Sequence, residues 1–347
     1  MLFRRHSRQG FTLISFLTIV AIVSILLALL LPALQLARES ARRMHCQNNL
    51  KQLAIACVQH EEAHGHLPTG GWGVAWTGDA DLGFDQSQPG GWIYNIWPYV
   101  ESSPIYAMGV GMAPQPKNAA HLQRLGTGWA SIYYCPTRRL SRTYPWINSW
   151  SIVNAGLPKM VDRSDYAANG GDVYTSPGTP LRPLWQSAPP GDEAGPASLA
   201  EGGVNGSKDQ TANAKTTFDA IADAANGAIF CGSMIKSDDI ADGLSNTYLL
   251  GEKYVNPDCY ATGEDPGDNA AALVGDNQNV ARWTFLPPLR DSAGFVAPRR
   301  FGSNHPGGFG MAFCDGSVKL MNFTIDPDVH RSLGNRKDGQ PAADAPP

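Results

Sequence analysis

The first feature of the chain is a long apolar run close to its N-terminus. Residues 11–31 (FTLISFLTIVAIVSILLALLL) contain no charged residue, glycine or proline. As a helix this run rises roughly 30 Å, which matches the hydrocarbon core of a bilayer. It is also longer than the apolar part of a cleaved secretory signal, which has about 7–15 residues. The pattern therefore predicts a transmembrane helix over 11–31, preceded by a basic leader over 1–10.

A helical period continues after this run. Between residues 33 and 64 there is no glycine or proline, and apolar residues recur at steps of three and four. Gly65 and Pro68 then end the pattern, because glycine is common just after a helix and proline cannot continue one. The segment 32–66 is therefore predicted to continue the helix outside the membrane, with its apolar face against a soluble head.

The rest of the chain breaks into short apolar runs separated by turns. The aromatic run 92–99 predicts a core segment, in preference to a surface that stacks on sugars. The runs 131–134 and 228–230 predict short buried strands. Alternating residues on both sides of Asp315 and Gly316 predict a β-hairpin with this dipeptide as its turn. We expect an α+β fold, in which the long helix packs on a glycine-rich head with an antiparallel sheet and long irregular loops.

Two stretches contain few large apolar side chains. Residues 176–217 are rich in proline, glycine, alanine, serine and aspartate, and residues 334–347 have a similar composition. Such segments bury too little surface to offset the entropy lost on ordering. We expect a mobile insert over 176–217 and a disordered tail over 334–347, with the globular head over 67–333.

Composition narrows the classes of function. The net charge of −4 offers no basic excess that would hold a nucleic acid. The sequence contains no P-loop, dinucleotide-binding fingerprint or nucleophile elbow, so we expect a protein that is not an enzyme. The six cysteines include no C-x2-C pair, and Cys46 and Cys57 lie too far apart on one helix to bond together. In an oxidising compartment the other four would allow three pairings.

Two groups of residues are candidate metal ligands. His60, Glu61 and His64 match the H-E-x-x-H pattern, in which two histidines bind zinc and the glutamate acts as a base. Histidines also suit the C-terminal end of a helix, and we favour this structural interpretation. Asp265 and Asp268 belong to an oxygen-rich loop whose spacing is not that of an EF-hand. We favour a solvated loop over a calcium site, and expect no cofactor.

The segment around residue 10 resembles the cleavage and methylation motif of type IV prepilins and type II secretion pseudopilins. The motif residues are Gly10, Phe11, Thr12, Leu13 and Ile14. The resemblance implies cleavage between Gly10 and Phe11, methylation of Phe11, a cytoplasmic leader and an exported head. Ser15 stands where these families carry a glutamate that pairs with the N-terminal amine of a neighbouring subunit.

Further phrases resemble one large bacterial family of prepilin-like proteins, which carries a C-terminal domain of unknown function. The phrases are 37–68, 135–139, 165–171, 240–247, 249–253 and 301–317. The last contains the family's His-x9-Asp-Gly signature, here His305 with Asp315 and Gly316. His305 and Asp315 could form a catalytic or metal-binding pair. The predicted hairpin puts Asp315 at its tip and His305 beyond the far end of the strand, so we favour a structural role.

The resemblance implies a membrane-anchored, pilin-like or pseudopilin-like structural protein with a pilin-like fold. It would be a minor or tip subunit of a type IV pilus or a type II secretion-like assembly. Its partners would be the inner membrane, the prepilin peptidase and other pilin-like subunits, with the N-terminus cytoplasmic and the head in the periplasm or at the cell surface. The alternative is a single-pass module that binds glycan or calcium without assembling. A zinc metalloenzyme built on His60, Glu61 and His64 is the remote alternative.

Overall fold

The computed structural model describes residues 13–100, 105–127, 131–175, 195–203 and 212–339, with the backbone alone for residues 212–216. The chain divides into two compact units, residues 1–44 and 45–347. The α-helices are α1 (Leu13–His64), α2 (Trp92–Val100), α3 (Pro114–Leu125), α4 (Ala212–Ala224) and α5 (Pro327–Gly334). The strands are β1 (Tyr144–Pro145), β2 (Met160–Val161), β3 (Tyr166–Asn169), β4 (Tyr248–Glu252), β5 (Ala281–Arg282), β6 (Leu289–Arg290), β7 (Gly302–Ser303), β8 (Phe309–Phe313) and β9 (Val318–Met321).

In the first unit, α1 presents large apolar side chains to the surroundings on all its faces. Among the residues that the structure describes, α1 is the one helix long and apolar enough to cross a membrane. Two of its hydroxyl groups bond within the helix, since Thr18 donates to the carbonyl oxygen of Ile14 and Ser24 to that of Val20. No unpaired hydroxyl of these two residues would therefore face lipid. By length and composition, this segment can cross a membrane once.

The second unit contains the last turns of α1 and the sheet on which they pack. Leu50, Leu53, Ala54 and Cys57 are buried at helical spacing in one large apolar core. That core also takes in residues of the central sheet, whose strand order is β5-β3-β4-β8-β9. All neighbouring pairs are antiparallel except β3 with β5. The α+β prediction is confirmed.

Strand β8 shows why α1 can approach this sheet so closely. Phe309, Met311 and Phe313 belong to a second apolar cluster, which also contains Leu333 of α5. Residues between them face the other way, as the two-residue period of a strand requires. A Cβ atom on Gly310 would lie 2.7 Å from Cδ1 of Leu50, which is too close for a real contact. Glycine at this position therefore lets the helix rest directly on the strand.

The predicted hairpin is present. Strands β8 and β9 pair in antiparallel register, with Ala312 opposite Val318. At the turn, Asp315 accepts a hydrogen bond from the backbone N–H of Ser317, and Gly316 has a φ of +78°. A side chain would strain that left-handed conformation, so the Asp-Gly pair fixes both the turn and the register of the strands.

Three predicted apolar runs are buried, but the two that were predicted as strands are not strands. Run 92–99 lies in α2 and is largely buried, so it is a core segment and not a surface for sugars. Run 131–134 begins with a short 3-10 helix, Ser131–Tyr133, and run 228–230 is an irregular bend. The backbone N–H of Tyr134 bonds within its own turn, to Ser131. The strand prediction is wrong there because a short apolar run reports burial and not backbone conformation.

The boundaries predicted for the insert and the tail need correction. Helix α4 begins at Ala212, inside the range expected as a loop up to residue 217. Residues 195–203 also contact the head, because Nε1 of Trp76 donates to the carbonyl oxygen of Pro196 at 2.6 Å. Residues 1–10 of the leader, 176–194 and 204–211 of the insert, and 340–347 of the tail lie outside the described residues.

The tail is held against the head past its predicted start at residue 334. Arg336 is buried, and its Nη1 donates to the carbonyl oxygens of Ala225 at 3.0 Å and Gly227 at 2.9 Å. The prediction of a disordered tail rests on its lack of apolar side chains. Composition does not reveal this contact, because hydrogen bonds from one guanidinium group, and not buried apolar area, hold the segment in place.

His330 makes the stability of the head dependent on pH. It is buried against the rings of Tyr248, Phe301 and Phe309, and burial lowers its pKa from 6.5 to about 3. As the pH falls, His330 therefore binds a proton near pH 6.5 in the unfolded chain, but in the folded chain only near pH 3. We expect this histidine to lower the free energy of unfolding by about 1.4 kcal/mol per pH unit as the pH falls between these values.

The measurement is urea unfolding of the full chain in detergent micelles, followed by tryptophan fluorescence at a series of pH values. His330→Phe keeps an aromatic ring and should flatten the slope relative to the wild type. His45→Gln, at an exposed position of α1, is the matched control and should leave the slope unchanged. Equal slopes in the wild type and His330→Phe would contradict this account.

Candidate functional site

Four buried side chains from separate parts of the second unit converge on one point. They are Cys46 of α1, Cys135 just after the 3-10 helix Ser131–Tyr133, Glu252 at the end of β4 and His305 between β7 and β8. One donor atom of each lies within 4.8 Å of the other three. Sγ of Cys135 is 3.0 Å from Sγ of Cys46 and 3.6 Å from Nε2 of His305, which is 3.4 Å from Oε1 of Glu252. We call these residues the Cys-Cys-His-Glu cluster.

The helix and the sheet position two members of the cluster. Cys46 lies one turn before Leu50, so it is on the helix face that packs against β8. Glu252 ends β4, which pairs with β8, and its Oε2 accepts a hydrogen bond from the backbone N–H of Gly310 at 2.7 Å. The contact between helix and strand at Gly310 therefore brings the thiol and the carboxylate together.

Loop hydrogen bonds position the other two members. The backbone N–H of Cys135 donates to Oδ2 of Asp165 at 2.7 Å, just before β3. The backbone N–H of His305 donates to Oγ of Ser303 at 3.1 Å, and that hydroxyl donates to the carbonyl oxygen of Gly308 at 2.7 Å. Both loops are therefore tied to the ends of strands.

Hydrogen bonds within the cluster redistribute its charge. The bond from Cys46, assisted by His305 and opposed by burial, lowers the pKa of Cys135 to about 6. The same bond raises the pKa of Cys46, and burial adds to this shift. Burial disfavours a charged His305, but its contacts with Cys135 and with the carboxylate of Glu252 raise its pKa to about 11. The cluster thus favours a thiolate on Cys135 beside a protonated His305.

Buried ion pairs surround the cluster on the side of Cys135. Oδ1 of Asp165 lies 3.1 Å from Nη1 of Arg138 and 2.6 Å from Nη2 of Arg139. Nη2 of Arg138 also lies 2.8 Å from Oδ2 of Asp291. The carboxylate that orients Cys135 is therefore itself held by two guanidinium groups, which limits the movement of the loop.

Asp268, a candidate calcium ligand, instead lies at the centre of this network. It contacts Arg139, Nζ of Lys253 at 2.9 Å and Nη1 of Arg163 at 3.5 Å. Burial alone would raise its pKa, but the three cations hold it well below its usual range. Burial also lowers the pKa of Lys253 to about 7, although Asp268 opposes that shift. The oxygens of Asp268 are thus engaged by side-chain cations.

Asp265, the other candidate calcium ligand in this loop, accepts hydrogen bonds from the backbone. Its Oδ2 accepts a hydrogen bond from the N–H of Asn256 at 2.7 Å, and its Oδ1 from the N–H of Gly267 at 2.8 Å. Asp265 and Asp268 are both buried, so the prediction of a solvated loop is wrong for these two residues. The sequence shows the charges but not the partners that allow their burial.

The two histidines of the H-E-x-x-H pattern lie in an aromatic contact. Their ring centroids are 4.7 Å apart, and the ring of His64 stacks on Phe84 at 4.0 Å. His60 is buried, with its Nδ1 3.0 Å from the carbonyl oxygen of His66, and burial lowers its pKa to about 3. Nε2 of His64 lies 2.9 Å from the hydroxyl of Tyr99. These contacts support the structural interpretation.

Glu61, the base in the metalloenzyme alternative, is directed elsewhere. Its Oε1 accepts from the backbone N–H of Ser237 at 2.6 Å, and its Oε2 accepts from the hydroxyl of Ser237 at 2.9 Å. The carboxylate therefore fixes the start of the 3-10 helix Ser237–Asp239 to the end of α1.

His305 and Asp315, which the sequence offered as a possible pair, have separate surroundings. His305 is fully buried in the cluster, whereas Asp315 is exposed at the tip of the β8–β9 hairpin and caps its own turn. The two residues therefore do not share one site. For Asp315 and Gly316 the role is the turn, as predicted from the sequence.

Sequence analysis does not reveal the cluster. Its members are far apart in the chain: Cys46 and Cys135 by 89 residues, and Cys135 and His305 by 170. No spacing rule applies across such intervals. All four residues do fall within phrases that carry the family resemblance, and this was the available signal.

The architecture defines an α+β protein whose N-terminal helix can cross a membrane and whose head encloses a buried cluster of metal-binding residue types. The chain belongs to the DUF1559 family (SBP_bac_10), described as proteins of unknown function, which matches residues 35–328. The matched region contains all four residues of the cluster and begins after the apolar run. No curated protein and no solved structure matches the chain significantly. The family match confirms the domain of unknown function inferred from the phrases.

The ion network around Asp268 should control the stability of the head. Asp268→Asn keeps the volume but leaves the buried cations Arg139, Arg163 and Lys253 without their shared carboxylate. We expect the free energy of unfolding to fall by about 3–5 kcal/mol. Urea unfolding followed by tryptophan fluorescence measures this loss. Glu264→Gln, at an exposed position of the same loop, should change stability by less than about 0.5 kcal/mol. Equal effects of both substitutions would refute the network's role.

Proposed function

We propose that the chain is a membrane-anchored, pilin-like structural protein that presents its head outside the inner membrane. The observation that carries the proposal is α1. Its first part is apolar, unburied and long enough to cross a membrane, and its last turns bury one face in the core of the second unit. A helix used in both ways, as a membrane span and as a core element, is the arrangement that the prepilin resemblance implies.

The proposal includes processing at the start of the apolar run. Gly10 followed by Phe11 matches the prepilin motif, so we propose cleavage between them by the prepilin peptidase and methylation of Phe11. This chemistry puts the leader in the cytoplasm and the head in the periplasm or at the cell surface. It also supplies the orientation that the arginines and lysines on both sides of the span leave undecided.

The proposed place in an assembly is a minor or tip subunit. Ser15 cannot supply the negative charge that pairs with a neighbouring subunit's N-terminal amine. A tip subunit has fewer neighbours to satisfy than a subunit inside a filament, so it tolerates this loss best. The proposed partners are other pilin-like subunits.

The head also supports a structural role over an enzymatic one. Glu61 binds the backbone of Ser237, and Asp315 caps an exposed turn. Glu61 and Asp315, which the sequence offered for acid–base chemistry, therefore each have a structural task. We propose that the protein is not an enzyme.

Processing is tested by the intact mass and N-terminal sequence of the chain isolated from membranes of cells that contain a prepilin peptidase. We expect the wild type to start at N-methylated Phe11. Gly10→Val should keep its leader, because a branched side chain blocks cleavage after this residue, whereas the control Gln9→Ala should be cleaved. A wild-type chain that still starts at Met1 would reject processing. A single-pass binding module would then be the better account.

The role of position 15 is tested by restoring the missing carboxylate. We expect Ser15→Glu to increase several-fold the fraction of the chain that sediments with filaments sheared from cells. The carboxylate would pair with a neighbour's methylated amine in an apolar environment, where an unpaired charge is costly. Ser15→Gln has the same length without the charge and should behave as the wild type. Identical behaviour of both variants would show that charge at this position does not limit assembly.

A further inference from the structure

The Cys-Cys-His-Glu cluster has the donor set of a closed zinc site. Thiolate, imidazole and carboxylate are the groups that zinc takes in proteins, and structural sites use four of them in a tetrahedron. Here two sulfurs, one imidazole nitrogen and one carboxylate oxygen face one point, and each side chain is at most 2% exposed. We propose that this cluster binds a zinc ion through Cys46, Cys135, Glu252 and His305.

Two of the distances between the donor atoms fit a tetrahedron, and a third requires a small adjustment. Zinc bonds of about 2.0–2.3 Å imply distances of about 3.3–3.8 Å between neighbouring ligand atoms. The separation of 3.6 Å between Sγ of Cys135 and Nε2 of His305 lies in this range, as does that of 3.4 Å between His305 and Oε1 of Glu252. The two sulfurs are 3.0 Å apart, and they must separate by roughly 0.7 Å when the ion enters.

The carboxylate of Glu252 provides a second, independent observation. Its Oε2 accepts the N–H of Gly310, whereas its buried Oε1 faces Nε2 of His305 at 3.4 Å without hydrogen-bond geometry. A buried carboxylate oxygen without a hydrogen bond costs about 1–3 kcal/mol, and the ion pair with His305 offsets part of this cost. This oxygen is the atom that faces the cluster. A zinc ion at the centre satisfies it directly.

The surroundings are those of a metal site whose ligands are held in advance. Gly310 fixes Glu252, Asp165 fixes Cys135, and Ser303 fixes the loop of His305. Such contacts to the residues around a metal orient its ligands. Two thiolates and a carboxylate carry one more negative charge than a zinc ion can neutralise. The guanidinium of Arg138 lies near Cys135 and offsets part of this excess.

The site would be structural. All four positions of the tetrahedron are filled by protein, so none is open to a substrate or an activated water. The ion would join the end of α1 to β4 and to two loops of the head. Zinc binding would therefore stabilise the fold of the second unit and would not depend on export or on assembly.

A disulfide between Cys46 and Cys135 is the competing state. It would form when a disulfide-bonded oxidant accepts two electrons from the two thiols, and both protons leave. It uses two of the four groups and leaves Oε1 of Glu252 facing His305. Zinc uses all four groups, and this is why the structure favours it.

The test uses the full chain, purified in detergent without an affinity tag that binds metal and without chelator. Elemental analysis should find zinc equimolar with protein, and alkylation after denaturation should find all six cysteines as free thiols. Exchange with cobalt should give thiolate charge-transfer absorption and the bands of a tetrahedral ion. Removal of zinc should lower Tm, and zinc added back should restore it.

Variants assign the ligands. Cys46→Ser and Glu252→Gln should each weaken zinc binding by roughly tenfold or more. Glu252→Gln keeps the size and the acceptor for Gly310, so it separates ligand loss from misfolding, which circular dichroism checks. Cys259→Ser removes a cysteine outside the cluster and should keep full zinc content. Zinc-free wild type with Cys46 bonded to Cys135 would overturn the proposal. So would a reduced chain that takes up no zinc, or ligand variants that bind zinc as the wild type does.

Discussion

The contact between α1 and β8 at Gly310 is the constraint on which the head depends. With no side chain on this glycine, Leu50 rests on the strand, and the apolar face of the helix enters the main core. The same contact positions two members of the Cys-Cys-His-Glu cluster. Cys46 lies one turn before Leu50, and the N–H of Gly310 holds Glu252. A Cβ atom at Gly310 would lie 2.7 Å from Cδ1 of Leu50 and 3.4 Å from Oε2 of Glu252, so the side chain of Leu50 would have to shift within a closely packed core.

The second requirement is charge balance in the interior. Burying one ion costs several kcal/mol, and such a charge is tolerated only when partners surround it. Asp268 meets this condition through three cations, and Asp165 through Arg138 and Arg139. The Asp165 contact also reaches Cys135, so the ion network and the cluster share one loop. A change in the network therefore affects the position of a ligand as well as the stability of the fold.

The sequence pattern correctly predicted those parts of the fold that depend on interactions between residues close together in the chain. The turn at Asp315 and Gly316 needs only a left-handed glycine and a short acceptor, and both are visible in the sequence. The run 131–134 shows burial but not conformation, because the same apolar residues suit a strand or a 3-10 turn. Asp268 was expected in solvent because composition counts charges without their partners. The cluster escaped prediction for a related reason, since only tertiary contacts bring its four members together.

The alternative explanation of the cluster, that four polar residues merely fill space, conflicts with its energetics. Apolar residues of similar volume would pack as well and would avoid the desolvation of a carboxylate, two thiols and an imidazole. Within the described residues, Glu252 and His305 lie beside two thiols, and each loop is fixed by a hydrogen bond to its backbone. That arrangement holds the donor atoms in place at a cost in desolvation. A cation bound between the donor atoms offsets this cost. Because α1, β4 and two loops meet at this point, the bound cation would also link all four segments and stabilise the fold.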